Sequence, residues 1–119
     1  MLSIKNVLVP FRMNLREKKP ITLRLELTNS DKEPKLLSMK LMVSKDLSVE
    51  KTTIANILEK KLGELAPGET KLMYFDIYPK VSTRPVDYAG RLIIYEHYND
   101  YEFVGKEMKK DFKIQVISV

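Results

Sequence analysis

Residues 20–28, Pro-Ile-Thr-Leu-Arg-Leu-Glu-Leu-Thr, alternate apolar and polar side chains without a break. Successive side chains on a strand point to opposite faces, so Ile21, Leu23, Leu25 and Leu27 share one face and Thr22, Arg24, Glu26 and Thr28 the other. A strand packed on one side and wetted on the other satisfies that pattern; a helix does not. Comparable runs recur along the chain between turn residues, which predicts an antiparallel β protein.

The runs place seven strands. The first covers Leu2–Val9 and closes at Pro10, and Phe11–Lys19 then crosses to the second, the alternating run that begins at Pro20. Asn29-Ser30-Asp31-Lys32-Glu33-Pro34 is a polar turn. The third strand is Leu36–Ser44, with Leu37, Met39, Leu41 and Val43 on one face. Lys45–Lys61 reads as irregular: Ile54, Ile57, Leu58 and Leu62 have helical spacing, while Thr52, Thr53 and Ile54 are β-branched. A fourth strand lies around Lys60–Leu65, and Ala66-Pro67-Gly68-Glu69 makes a tight turn. Thr70–Tyr78, Asp87–Tyr98 and Lys109–Val119 complete the set, with Met73, Phe75, Ile77, Leu92, Ile94, Phe112 and Ile114 inward. The expected fold is an all-β, seven-stranded antiparallel Greek-key sandwich of the immunoglobulin-like or fibronectin-III-like kind, a single domain over residues 1–119.

Composition limits the functions open to such a sandwich. Cysteine is absent, which excludes disulfides and thiolate metal sites. A single glutamine among many Lys and Glu leans towards a thermophilic source. No run approaches the roughly 20 apolar residues of a membrane-spanning helix, and the N-terminus lacks the features of a signal peptide, so a cytoplasmic location is expected if Met1 is the native start. Residues 1–45 carry ten Lys/Arg against four acids, and the remainder eleven against twelve, so the net +5 resides in the first third. Arg12, Arg16, Lys18 and Lys19 are candidate polyanion contacts. The same stretch also reads as a charged loop that protects an edge strand, and it lacks the interleaved aromatics of nucleic-acid modules, so nucleic acid is not the expected partner.

"PITLRLELTNSDKEP", followed by "LGELAPGET" and "YAGRLIIYEHY", resembles the immunoglobulin-like, cell-adhesion-related domains of archaeal and bacterial proteins. The shared features are an alternating strand ending in Thr28-Asn29, a Leu-x-Pro-Gly-Glu turn at residues 65–69, and a Tyr88-x-Gly90 start to the penultimate strand. The resemblance spans roughly residues 18–119 and implies an immunoglobulin-like or fibronectin-III-like sandwich with a non-catalytic binding or spacer role, and the expected partner is a protein.

No catalytic, cofactor or metal constellation accompanies the strands. His97 is the only histidine, and Glu96 beside it points to the opposite face, so it reads as a half-buried strand residue. Serine lacks a G-x-S-x-G setting, and the glycines are scattered rather than gathered in a phosphate loop. Tyr88 suits a tyrosine corner. Tyr95–Phe103 concentrates four of the ten aromatic residues in nine positions. Tyr95, His97, Tyr98, Tyr101 and Phe103 form either a partner surface or a cap on the end of the sandwich. Outward Leu72, Tyr74, Ile93 and Tyr95 are more apolar than a solvated face needs, which makes a homodimer an expectation as well.

Parity constrains the last hairpin. Both of its strands bury even-numbered residues, so paired residues must sum to an even number, whereas a two-residue turn at Asn99-Asp100 pairs Tyr98 with Tyr101. A longer connection or a bulge is required. Gly105 is the expected place, through the positive φ open to glycine, and the aromatic tip should project beyond the sandwich.

Overall fold

The computed structural model describes residues 1–52 and 54–119. Among them are nine strands and no helix: β1 (Leu2–Val9), β2 (Arg12–Asn14), β3 (Ile21–Asn29), β4 (Lys35–Val43), β5 (Leu47–Ser48), β6 (Ile57–Leu65), β7 (Thr70–Pro79), β8 (Asp87–His97) and β9 (Val104–Ile117). They form a four-stranded sheet, ordered β1-β3-β7-β5, and a five-stranded sheet, ordered β2-β9-β8-β4-β6. No described segment is a helix long and apolar enough to cross a membrane.

The alternating run is central to the first sheet. Ile21, Leu23, Leu25 and Leu27 are fully buried, and they pair with Ile77, Phe75, Met73 and Lys71 of β7. Across the core lie Leu37, Met39 and Leu41 of β4, Leu92 and Ile94 of β8, and Ile114 and Val116 of β9, with Phe112 packed against them half-buried. Burial of each such side chain contributes about 1.5–3 kcal/mol. That apolar seam is what holds two sheets without disulfides.

Two expectations of strand number and direction are corrected. The chain has nine strands rather than seven, and it is not wholly antiparallel, because β2 runs parallel to β9. The chain changes sheets at Val9–Pro10, whose peptide is cis, and Met13 of β2 is fully buried. Three residues are too few for a period-two pattern to register, and β5 has only two. Lys45–Lys61 holds β5 and the start of β6 rather than any helical turn in its described residues; Thr53 lies outside them.

Asn29 is the polar pivot of one end of the sandwich. It is fully buried, and its side-chain amide donates to the carbonyls of Glu33 (2.8 Å) and Leu65 (3.0 Å) while its side-chain oxygen accepts the Asp31 N–H (3.0 Å). Its backbone bonds both Gly68 and Glu69. The Thr-Asn strand ending and the Pro-Gly-Glu turn are therefore one hydrogen-bonded unit. Gly68 adopts φ +76°, as the third position of such a turn requires.

Tyr88 forms the expected corner, its hydroxyl accepting the Arg84 N–H at 2.9 Å. Gly90 is paired with Phe112, and a Cβ there would lie 2.4 Å from that ring, so the glycine makes room for the aromatic across the ladder.

A candidate recognition groove on the five-stranded sheet

Register decides which side chains meet on the outer face of the five-stranded sheet. Tyr95 pairs with Ser38, and Ser38 in turn with Lys61, while Ile93, Lys40 and Glu59 form the next row. Lys40 and Glu59 close an ion pair at 3.7 Å. Ile93, expected to be exposed, is buried; it is flanked by Lys40 and Lys109, whose long apolar stems can shield a neighbour. The outer face thus offers less exposed apolar area than the homodimer expectation assumed. On the other sheet, Leu72 and Tyr74 are exposed.

The β8–β9 ladder keeps an even sum of 202 from Asp87↔Gln115 to Glu96↔Lys106 and then shifts to His97↔Val104, leaving Gly105 as the extra residue. The interruption falls where parity required it. Its expected cause is corrected: among the described glycines only Gly63 and Gly68 have positive φ. Gly105 instead faces the Tyr98 ring, which a Cβ would approach to 3.3 Å. Beyond the bulge, Tyr98 N–H bonds the Phe103 carbonyl across a four-residue loop, with Asn99 at φ +66° and Asp100 accepting the Glu102 N–H.

The tip does not simply project. Tyr101 turns back over the outer face, and its hydroxyl accepts the N–H of Gly63 on edge strand β6 at 2.8 Å. Gly63 has φ +78° beside a second bulge, between Leu37 and Ser38 in the β4–β6 register. The Tyr101 and His97 rings meet in a T-shaped arrangement, 5.1 Å between centroids, with the Lys61 ammonium 5.1 Å from the centre of the Tyr101 ring. Tyr98 and Phe103 stack on each other at 5.3 Å and remain exposed.

Together these groups form an open groove of about 450 Å³, lined by Ser38, Tyr95, His97, Tyr101, Lys61 and neighbours. His97 Nε2 and the Ser38 hydroxyl share a 2.6 Å hydrogen bond. His97 Nδ1 is buried with no partner among the described residues. An unsatisfied buried polar atom costs about 1–3 kcal/mol, comparable to the net worth of the single bond that holds Tyr101 in place. Glu96, on the opposite face, pairs with Lys35 at 2.9 Å and does not orient the imidazole. No described group of His, Asp and Glu is arranged to hold a metal.

The basic candidates are only partly gathered. Arg12 bonds the Gln115 side chain and stacks on Phe11, and the Arg16 backbone bonds Asn14, whereas Lys18 lines a different groove, at the opposite end of the sandwich, with Lys51 and Lys80. Lys19 is exposed and lines neither groove. Sequence reasoning missed Ser38, Lys61 and Gly63 in the aromatic groove, because they come from strands distant in the chain and their proximity depends on the β4–β6 register.

No family model matches the chain, and no curated protein sequence matches it. Solved structures do. Native alpha-2-macroglobulin from Escherichia coli, in a structure spanning the residues from domain MG7 to the C-terminus, superposes with a TM-score of 0.70 at 20% identity over 99% of this chain. A FixG-related protein from Vibrio parahaemolyticus gives 0.57 at 12% identity, covering 98% of this chain and 94% of its own. Pseudomonas fluorescens alkylpurine DNA glycosylase AlkC, bound to DNA containing an abasic site analog, gives 0.57 at 16% identity over 98% of this chain and 30% of its own. This chain spans 17% of the length of the alpha-2-macroglobulin structure. The likeness is one of all-β, sandwich-like fold.

Proposed function

We propose that this chain is a non-catalytic, immunoglobulin-like interaction module, of the kind found among cell-adhesion-related bacterial and archaeal domains, and that it meets a protein partner at the β8–β9 corner. One observation carries the reading. Tyr95, His97 and Tyr101 converge on a concave surface while Tyr98 and Phe103 stand exposed beside it. Aromatic side chains supply large contact area at low conformational cost, which is why they are enriched at interfaces. The order β1-β3-β7 facing β9-β8-β4-β6 supports the immunoglobulin-like assignment.

The test is affinity capture with the full chain, followed by reconstitution of the captured protein from purified components. The Tyr98→Ala/Phe103→Ala variant should retain its fold and lose at least tenfold in affinity, as loss of interface aromatics does. Unchanged affinity would place the contact elsewhere.

A second reading has one observation in its favour. Lys18, Lys51 and Lys80 reach a common groove with no acidic side chain among its described lining residues, which suits a polyanion. Binding to a DNA or heparin probe that falls steeply with salt would support it, and no binding at low salt would end it.

A further inference from the structure

His97, which lines the groove under Tyr101, carries a buried ring nitrogen with no hydrogen-bond partner among the described residues. We infer that the groove takes a carboxylate side chain, an aspartate or glutamate presented by the partner, received by His97 Nδ1 and the Lys61 ammonium. This deepens the interaction reading above and rests on it.

Three features support the assignment. First, His97 Nδ1 is buried without an acceptor among the described residues, and in the tautomer in which the Ser38 hydroxyl donates to Nε2 the ring proton sits on Nδ1 and makes it a donor. Second, the uncompensated charge here is positive. Glu59 is engaged by Lys40, while no described carboxylate pairs with Lys61, whose ammonium lies over the Tyr101 ring. Third, the walls are the aromatic rings of Tyr95 and Tyr101. Two donors can satisfy both oxygens of a carboxylate; a phosphate would leave most of its oxygens unbonded there.

Entry has a structural consequence. Nδ1 is shielded in the closed arrangement, with the Tyr101 ring against the imidazole. Outward movement of Tyr101 would uncover the imidazole for a carboxylate, and that motion gives up the bond from Gly63 N–H to its hydroxyl. Tyr101 is therefore a lid as well as a wall.

The test uses the full chain, isotopically labelled, titrated with glutarate, with its neutral isostere glutaramide and with inorganic phosphate. Glutarate should shift the His97 ring nitrogens and the Gly63 amide saturably, and glutaramide should not. Lys61→Gln should weaken glutarate about tenfold, the factor for one charge-assisted hydrogen bond. Tyr101→Phe should strengthen it roughly two- to tenfold by removing the latch. Equal response to glutaramide, tighter binding of phosphate, or shifts no larger at Gly63 and His97 than at remote Lys5 would each overturn the inference. If the partner still depends on Tyr98 and Phe103 while glutarate does nothing, the interaction reading stands and the carboxylate fails. If glutarate binds but the partner ignores the whole corner, the interaction reading fails and with it the presentation of the carboxylate by the partner, and only the groove's affinity for a carboxylate remains.

Discussion

The hydroxyl of Tyr101 accepts the backbone N–H of Gly63 at 2.8 Å, tying the hairpin tip to an edge strand 38 residues away. That bond changes what the tip is. Without it the β8–β9 loop would be an exposed aromatic finger; with it Tyr101 roofs His97 and leaves Tyr98 and Phe103 outside. Removing only the hydroxyl should loosen the roof. Tyr101→Phe should lower stability by about 0.5–1.5 kcal/mol and speed hydrogen exchange at the Gly63 amide more than at Leu65. Unaltered exchange at Gly63 would mean the bond does not hold the tip.

Gly90 and Phe112 are a matched pair across the ladder. A methyl at residue 90 would overlap the Phe112 ring at 2.4 Å, and the half-buried ring would have to leave its seat. Gly90→Ala should therefore destabilise by about 1–3 kcal/mol. Phe112→Ala should cost less in that background than alone, since the contact is already lost. Strict additivity in a double-mutant cycle would show that the two residues do not interact.

Asn29→Ala should remove three hydrogen bonds at once and leave the Leu65 carbonyl, inside the sandwich end, without its donor. A loss of about 1–3 kcal/mol is expected in denaturant unfolding. Asn29→Asp should not rescue it, because a carboxylate cannot donate to the two carbonyls. A fully stable Asn29→Asp variant would contradict the role assigned to the amide.

The same end carries an ionic chain whose pH response has a definite sign. Lys35 bonds Glu96 at 2.9 Å and Asp31 at 3.0 Å, and these carboxylates raise its pKa above 10.5, Glu96 contributing first. Its stabilising contribution is complete below pH 10.5 and disappears as pH rises through the higher folded value. Asp31 is held at about 2 rather than 3.8, first by its bond from the N-terminal ammonium and then by Lys35. Its contribution is present above pH 3.8 and lost as pH falls through about 2. Lys35→Met should flatten the alkaline limb of the thermal-stability profile, and Asp31→Asn the acid limb. Variants with limbs as steep as the parent would remove these residues from the account.

Much of this was legible in the amino-acid order, and the reasons differ by element. Where a strand is long and one face is dry, as in β3, period two alone identifies it and assigns its faces. Parity required a longer connection or a bulge between Tyr101 and Lys110, since counting residues requires no knowledge of their environment, and the ladder does shift there, at Gly105. The reason for a glycine there was not legible, because it is the approach of the Tyr98 ring and not the backbone angle. Short strands β2 and β5 carry too few residues for a period. Ile93 looked exposed because its face is wet elsewhere; its shielding comes from neighbouring strands. The return of Tyr101 to Gly63 depends on two bulges in two ladders, and nothing local to residues 98–103 encodes it.

The central claim is that partners are met at the corner formed by the β8–β9 tip and β6. The most direct measurement is the footprint of a reconstituted partner on the full chain, read by amide exchange and methyl and aromatic NMR shifts. Protection and shifts should concentrate at Tyr95–Val104 and Ile57–Leu65, with the Gly63 amide among the most changed. A footprint on exposed Leu72 and Tyr74, or on the groove of Lys18, Lys51 and Lys80, with the Gly63 amide unmoved, would contradict it.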